Sequence, residues 1–369
     1  MKISKSFVIA SGLMVSMAVP MSPGLRAQAV DSLPPPVTIG GTIDAYFSWN
    51  FAKPASHKNL YRNFDIAENQ MTVSNAEVDI QKATSVTSPF GFTINASVGS
   101  ASDFIHGLPN TLSASSLGSI NLFQQAYLTY VVPVGSGLTV DAGKFVTHMG
   151  NELTRAKDNM NYSRSFLFAY AIPIYHVGIR ALYPFRDNLS VCVHVVDGWN
   201  GVPANQTKTF GATITYTPIS TLTLLANYIG GPSQPETVSK VFRNVAELVA
   251  TFTASDKLTL AVDGNYGTDS PAGTSLSWYG VAGYAKYSLT EKTAFALRGE
   301  VYSDPDGYTT GTAQHLKEAT LTFEHKPVSS LILRTEFRYD WSTVDAFVDK
   351  DGAPSISQTT LAVAAIVVF

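Results

Sequence analysis

The sequence predicts an all-β fold, a transmembrane antiparallel up-and-down β-barrel of sixteen strands with long external loops and short periplasmic turns. Three observations predict it. Apolar and polar side chains alternate with period two in sixteen segments, which marks strands with one greasy and one polar face. The joints between these segments alternate between short and long. The chain also opens on an export leader, yet holds no later run of about 18 apolar residues that would make a membrane helix. An exported chain of this kind is a soluble all-β protein or a barrel in an outer membrane.

The leader reads MKISKSFVIASGLMVSMAVPMSPGLRAQA. Lys2 and Lys5 give a positive start, Phe7 to Val19 is uncharged and mostly apolar, and Ala27-Gln28-Ala29 fits a small-x-small cleavage site. Residues 1–29 therefore read as a secretory signal peptide, because the apolar run is too short to span a bilayer comfortably. Its removal leaves 22 basic and 28 acidic side chains, a net charge of −6. No basic patch for nucleic acid results. The single cysteine, Cys192, excludes an internal disulfide framework. Residues 30–37, with SLPPPV, read as an extended periplasmic lead-in. That leaves 38–369 as one barrel domain. Its 14% charged content is low for a soluble protein.

The strands are expected near 38–50, 69–82, 89–100, 120–132, 137–147, 174–184, 187–197, 207–217, 220–230, 242–253, 256–267, 276–287, 292–303, 315–325, 329–341 and 357–369. In SLILRTEFRYDW, Leu331, Leu333, Phe337, Tyr339 and Trp341 share one parity, and Arg334, Glu336, Arg338 and Asp340 the other. Most segments have 10–13 residues, longer than the usual five or six of a globular strand and matched to a tilted membrane strand plus overhang. The short joints, such as ATSVTS and PVGS, hold turn residues. The long joints are 51–68, 101–119, 148–173, 198–206, 231–241, 268–275, 304–314 and 342–356. A Greek-key sandwich has no reason to keep such an alternation.

The apolar end TTLAVAAIVVF closes the ring against the first strand and removes both sheet edges. Leu361, Val363, Ala365, Val367 and Phe369 then face lipid. Aromatic residues form two bands: Phe90, Tyr183, Tyr216, Phe252, Tyr287 and Phe323 near short turns, and Trp49, Tyr228, Tyr266, Tyr279 and Trp341 near long loops.

The polar parity, assigned to the lumen, holds Asp44, Glu77, Asp79, Asp141, Arg180, Glu247, Asp263, Arg298, Glu300, Glu324, Arg334, Glu336 and Arg338. An Arg or Lys facing the bilayer midplane would cost about 2–4 kcal/mol. Sixteen strands make a cylinder too wide for side chains to fill, so its bore is wet. Such a tube passes small polar solutes and ions; for any one charge, simple solubilisation of the wall is the better account than a specific binding role. Acids gather on the first, second and fifth segments and bases at Arg298, Arg334 and Arg338, which suggests a transverse field partly cancelled by Glu300, Glu324 and Glu336. Lys144 shares the lipid-facing parity. Either a bulge at Gly143 flips the register, or the side chain snorkels at the outer rim.

Several stretches resemble one family, the OmpL-like β-barrel porins of Gram-negative bacteria. GGTIDAYFSWNFAKP is similar to its opening strand and loop, and YRNFDIAENQMTVSNAEVDIQK to its second strand. QAYLTYVVPVGSGLTVDAGKFVTHMGNE, NMNYSRSFLFAYAIPIYHVGIRALYP and VVDGWNGVPANQ resemble its middle. The resemblance covers roughly residues 38 to 217 and implies an outer-membrane porin without naming a solute. By analogy with general porins the third long loop, 148–173, folds inward, so Glu152, Arg155, Lys157, Asp158 and Arg164 would line a constriction. The alternative is a surface loop, with a short helix over 152–158. The same analogy suggests a homotrimer, and a terminal Phe369 resembles the signal that barrels present to the outer-membrane assembly machinery. A substrate-specific channel, or a non-conducting adhesin or structural barrel, is the alternative role. No recognised nucleophile motif accompanies the seven histidines, and no HExxH, EF-hand or phosphate loop is present. An enzyme, a metal site and a cofactor are therefore not expected.

Overall fold

Each alternating segment folds as a strand in the computed structural model, which describes residues 34–107, 122–200, 207–233 and 242–369. The expected leader 1–29, the start of the lead-in and parts of the joints 101–119, 198–206 and 231–241 lie outside the described residues. The first eight strands are β1 (Val37–Asn50), β2 (Met71–Lys82), β3 (Phe90–Val98), β4 (Phe123–Val132), β5 (Leu138–Val146), β6 (Tyr175–Arg186), β7 (Leu189–Val196) and β8 (Thr209–Ile219). The next seven are β9 (Leu222–Pro232), β10 (Phe242–Thr253), β11 (Leu258–Asp269), β12 (Leu276–Ser288), β13 (Thr293–Asp304), β14 (Gln314–Val328) and β15 (Leu331–Ser342). A small hairpin, β16 (Phe347–Val348) with β17 (Pro354–Ser355), decorates the last long loop, and β18 (Ser357–Val368) ends the chain. Sixteen of these pair in one closed antiparallel barrel, each with its sequence neighbours, and β18 joins β1.

The seam runs from Thr42↔Val368 to Asn50↔Thr360. It is sealed at its end by Gly41 N–H donating to Phe369 O at 3.0 Å and Phe369 N–H to Gly41 O at 3.1 Å. A closed ladder leaves no backbone edge to be desolvated in hydrocarbon. Gly41 is required here: a Cβ would stand 2.3 Å from Glu77 O and 2.5 Å from the Phe369 ring.

Burial is inverted relative to a soluble protein. On β13 Phe295, Leu297 and Val301 are exposed, whereas Arg298 and Glu300 are buried. On β18 Leu361, Val363 and Val367 are exposed, and Gln358 and Thr360 are buried. Only a lipid exterior makes that pattern favourable. Phe90, Tyr216, Phe252, Tyr287 and Phe323 are exposed at one end of the strands and Tyr228, Tyr266 and Tyr279 at the other. Tyr183, Trp49 and Trp341 are half-buried.

Three local features differ from the sequence expectations. The β4–β5 register runs through Tyr127↔Gly143 and Ala126↔Lys144 without a shift, so no bulge turns Lys144. Nor does it stand at an open rim: it is buried, with its ammonium 4.3 Å from the Tyr175 ring centroid. The segment 152–158 is not one short helix. It holds a 3-10 turn at Ala156–Asp158, and a π-helical turn follows at Leu167–Ala171. Helix α1 (Ser100–Gly107) opens the second long loop, placing Ala101 and Ile105 in the interior cluster.

Candidate functional site

The inner face of the ring is a lattice of charge. It carries acids at Asp44, Glu77, Asp79, Asp141, Glu247, Asp263, Glu300, Glu318, Glu324, Glu336 and Asp340, against Arg180, Lys286, Arg298, Arg334 and Arg338. Period-two geometry puts them there, since each is flanked by residues of the outer face. Neighbouring strands pair many of them. Arg180 meets Asp141 at 2.8 Å, Arg298 meets Glu318 at 2.6 Å and Arg334 meets Glu324 at 2.6 Å, and along β15 itself Arg338 meets Asp340 at 2.6 Å. The basic wall is thus neutralised locally, which weakens the transverse field suggested by the sequence.

The loop 148–173 lies inside the cylinder, because its atoms bond to strands all around the ring. Near its start Gly150 N–H donates to both Glu247 oxygens, at 3.0 and 2.8 Å, and Asn151 N–H to Asp263 at 3.2 Å. Arg155 reaches across to β2, meeting Glu77 at 3.0 Å and Asp79 at 2.5 Å. Tyr162 O–H donates to Asp44 on β1 at 2.9 Å.

Most of the grip is on the loop's main chain. Tyr162 and Ser163 N–H donate to Glu336 at 2.6 and 2.9 Å, and Phe166 and Leu167 N–H to Glu300 at 2.6 Å each. Arginines take the carbonyls. Arg334 donates to Ala156, Asn159 and Asn161 O, Arg338 to Arg164 O and Arg298 to Ser163 O. Each such charge-assisted bond is worth about 1.5–3 kcal/mol. The wall charges therefore do more than solubilise: they fix a loop across the bore.

The five loop residues singled out from sequence divide in role. Glu152 is buried against Arg298 at 2.6 Å and accepts from Ser165 N–H and O–H at 2.7 Å each. Arg155 joins loop to wall. Arg164 is buried and staples the loop to itself, donating to Leu153 O at 2.9 Å, to Thr154 O and to Tyr162 O. Lys157 and Asp158 pair with each other at 2.6 Å and are the more open ones.

Sequence reasoning missed a second inward segment. In the first long loop Arg62 is buried and meets Asp340 at 2.8 Å and Asp65 on its own loop. Nothing local to Arg62 signals this. Glu318 and Asp340 stand on the inner parity and were legible there. Also missed is an imidazole stack at the loop's root. His148 lies 4.0 Å from His194 and 5.7 Å from His176, ring to ring. Burial holds the His148 imidazole down to about 4, below its ordinary range. Aromatic residues of the loop and wall, Phe166, Phe168, Trp278 and Tyr302 among them, pack in one cluster; the Trp278 indole N–H donates to Ala171 O at 3.0 Å.

Comparison with known proteins agrees with this architecture. Residues 36–369 match the model of the family described as "Putative beta-barrel porin-2, OmpL-like". Among solved structures, the anion-selective porin from Comamonas acidovorans is 11% identical with a TM-score of 0.64, over 90% of this chain and 99% of that one. The outer-membrane channel DcaP of Acinetobacter baumannii is 12% identical with a TM-score of 0.60, over 90% and 97%. OmpT of Vibrio cholerae in its trimer form is 12% identical with a TM-score of 0.54, over 90% and 99%. At such identities the likeness is one of fold. No curated protein matches the chain.

Proposed function

This chain belongs to the OmpL-like beta-barrel porin-2 family of outer-membrane porins, and we propose that it passes small hydrophilic solutes and ions by passive diffusion. The observation that carries the proposal is a closed barrel whose inner wall is charged and whose third long loop is held across the bore by that wall. Water and ions are the natural occupants of a charged interior that lipid cannot solvate. In this reading Asp44, Glu77, Asp79, Asp141, Arg180, Arg298, Glu300, Arg334, Glu336 and Arg338 line or shape the path, and loop 148–173 narrows it. Arg155, Lys157 and Asp158, the less buried loop charges, are then the groups a passing solute meets first.

The proposal includes export through a cleaved leader at 1–29, sorting through Phe369, and assembly as a homotrimer. A trimer is supported by the trimeric form of the OmpT neighbour. The test is single-channel current through the refolded protein in a planar bilayer. Stepwise, ohmic conductance supports diffusion, and saturation by one solute a substrate-specific channel. A barrel that inserts and stays closed overturns the proposal in favour of an adhesin or structural role.

A further inference from the structure

The bore carries a second tier above the seat of loop 148–173, and the first long loop, 51–68, builds it. On β15 Glu336 holds the Tyr162 and Ser163 amides, while Asp340, four residues closer to the long-loop end, holds Arg62. Four residues are about 13 Å of strand. The same step recurs on β1: Asp44 takes the Tyr162 hydroxyl, and Ser48 takes the Asn59 side-chain amide at 3.1 Å. On β18 the Gln358 side-chain oxygen accepts from Leu60 N–H at 2.9 Å, and the Thr360 hydroxyl from Arg62 at 3.0 Å. These wall groups are buried on the inner face. The first loop therefore turns into the cylinder over β15, β18 and β1 instead of standing out in solvent.

Its backbone shows that this seat is imposed. Among the described residues, the non-glycine positions with positive φ are Lys53, His57, Tyr61 and Asn69, all in this loop or at its edge. Tyr61, at φ 55°, is a bulky residue in the left-handed region, a conformation that persists only where neighbouring contacts over-determine it. Those contacts follow directly in the chain. Arg62 is clamped between Asp340 and Asp65. Asn63 donates to Ala169 O in loop 148–173 at 3.0 Å. Phe64 is 3% exposed and joins three segments. Its ring centroid lies 5.4 Å from that of Phe104 on α1 and 5.6 Å from that of Phe168 in loop 148–173, and the Arg164 guanidinium stands 4.6 Å over it.

We propose that loop 51–68 forms a second, outer constriction, and that Phe64 is the positioning residue that locks it to loop 148–173, so that the two loops act as one size filter. This rests on the diffusion reading and adds to it what is selected: compact hydrophilic solutes pass and bulkier ones are held back. Size is the quantity that Phe64 controls. A phenyl ring carries no net charge, so its loss widens the passage without altering ion preference. Arg62 serves the same end from the wall, since its planar guanidinium spans Asp340 and Asp65, a geometry that a lysine cannot copy.

The test uses the full mature chain, refolded and inserted in planar bilayers, with polyethylene glycols of graded size as the probe. Polymers small enough to enter a pore lower its current and larger ones do not, so the crossover reads the clear width. Phe64→Ala should move the crossover to larger polymers and raise the conductance, with the reversal potential unchanged. Deleting a buried phenyl from a packed joint shifts an opening equilibrium by at least about tenfold. Proteolysis within 148–173 tracks that opening and should quicken by a similar factor. Phe64→Leu should restore most of the wild-type crossover. Phe51→Ala, which removes an exposed phenyl from the same loop, should change nothing. If Phe64→Ala fails to fold, Asn63→Asp serves in its place: it sets a carboxylate against Ala169 O, keeps the aromatic joint, and should move crossover and cleavage in the same direction. A folded variant with the wild-type crossover and cleavage rate overturns the filter and leaves the diffusion reading standing. A wild-type barrel that never conducts overturns the diffusion reading; the joint is then judged by cleavage alone, faster in Phe64→Ala if it stands and unchanged if it falls.

Discussion

Replacing Glu300 by alanine removes a carboxylate that accepts the Phe166 and Leu167 amides at 2.6 Å each, on a residue that is itself buried. Two charge-assisted bonds at about 1.5–3 kcal/mol apiece amount to roughly 3–6 kcal/mol of local anchorage. Water entering the vacated space returns part of it. A residual loss of only about 1.4 kcal/mol would still change the occupancy of the held conformation tenfold. The strands keep their ladder, since Glu300 points inward and its backbone pairing with Ala282 and Glu318 is untouched. The expected result is thus a selective one: larger mean single-channel conductance, more open-channel noise, faster proteolysis within 148–173, and an almost unchanged heat midpoint of the barrel. Glu300→Gln should fall between, because its amide oxygen satisfies one N–H and its NH₂ opposes the other. If Glu300→Ala shows wild-type conductance, noise and proteolysis, the idea that wall carboxylates hold the loop through its main chain is wrong.

Three other outcomes are expected. Acids outnumber bases on the strands' inner faces, so reversal potentials in a salt gradient should show cation preference despite the name of the Comamonas neighbour; anion preference would contradict that balance. Gly41→Ala would set a Cβ 2.5 Å from the Phe369 ring and 2.3 Å from Glu77 O, so the seam should lose about 1–3 kcal/mol, read as a lower heat midpoint in semi-native electrophoresis. His148 packs against His176 and His194, with Arg180 nearby, and its Nε2 donates to the Tyr228 carbonyl at 2.9 Å rather than to a carboxylate. Its folded value near 4 lies below the ordinary 6.5, so the loop's root should be fully stable above pH 6.5 and lose up to about 3 kcal/mol as pH falls toward 4. Channel noise should rise over that window and flatten in His148→Gln; a pH-independent wild type would refute it.

The strands were legible because each environment is imposed on every second residue. A lipid exterior demands Phe295, Leu297 and Val301, and a wet or polar interior admits Arg298 and Glu300 between them. Two such demands repeated over a whole strand fix both its type and its register. The ends were less sharp: β3 stops at Val98, where α1 begins two residues later, because eight residues opened by a serine carry too short a helical period to read. The seating of loop 148–173 was open from sequence alone for a different reason. Its bonds to Glu300, Glu336 and Arg334 use peptide N–H and C=O groups that every residue owns. No side-chain pattern in the loop advertises them. Arg62 is harder still, since its partner Asp340 is 278 positions away.

That division of labour has a physical consequence for how the bore is built. A loop held by its own side chains could not change its charge without losing its position. Here the position is set largely by Glu247, Glu300, Glu336, Arg334 and Arg338, all on strands whose own place is fixed by the barrel ladder. Main-chain acceptors and donors are the same whatever side chain they carry. Lys157 and Asp158, half-exposed and paired with each other rather than with the wall, are then free to set the charge a solute meets, while the wall sets the width. The arrangement also explains why so many ionised groups are tolerated away from bulk water. A buried charge is costly when one partner is missing and inexpensive when its lone pairs are filled. In this barrel the loop's peptide groups do that filling, so the wall charges and the inward loop depend on each other.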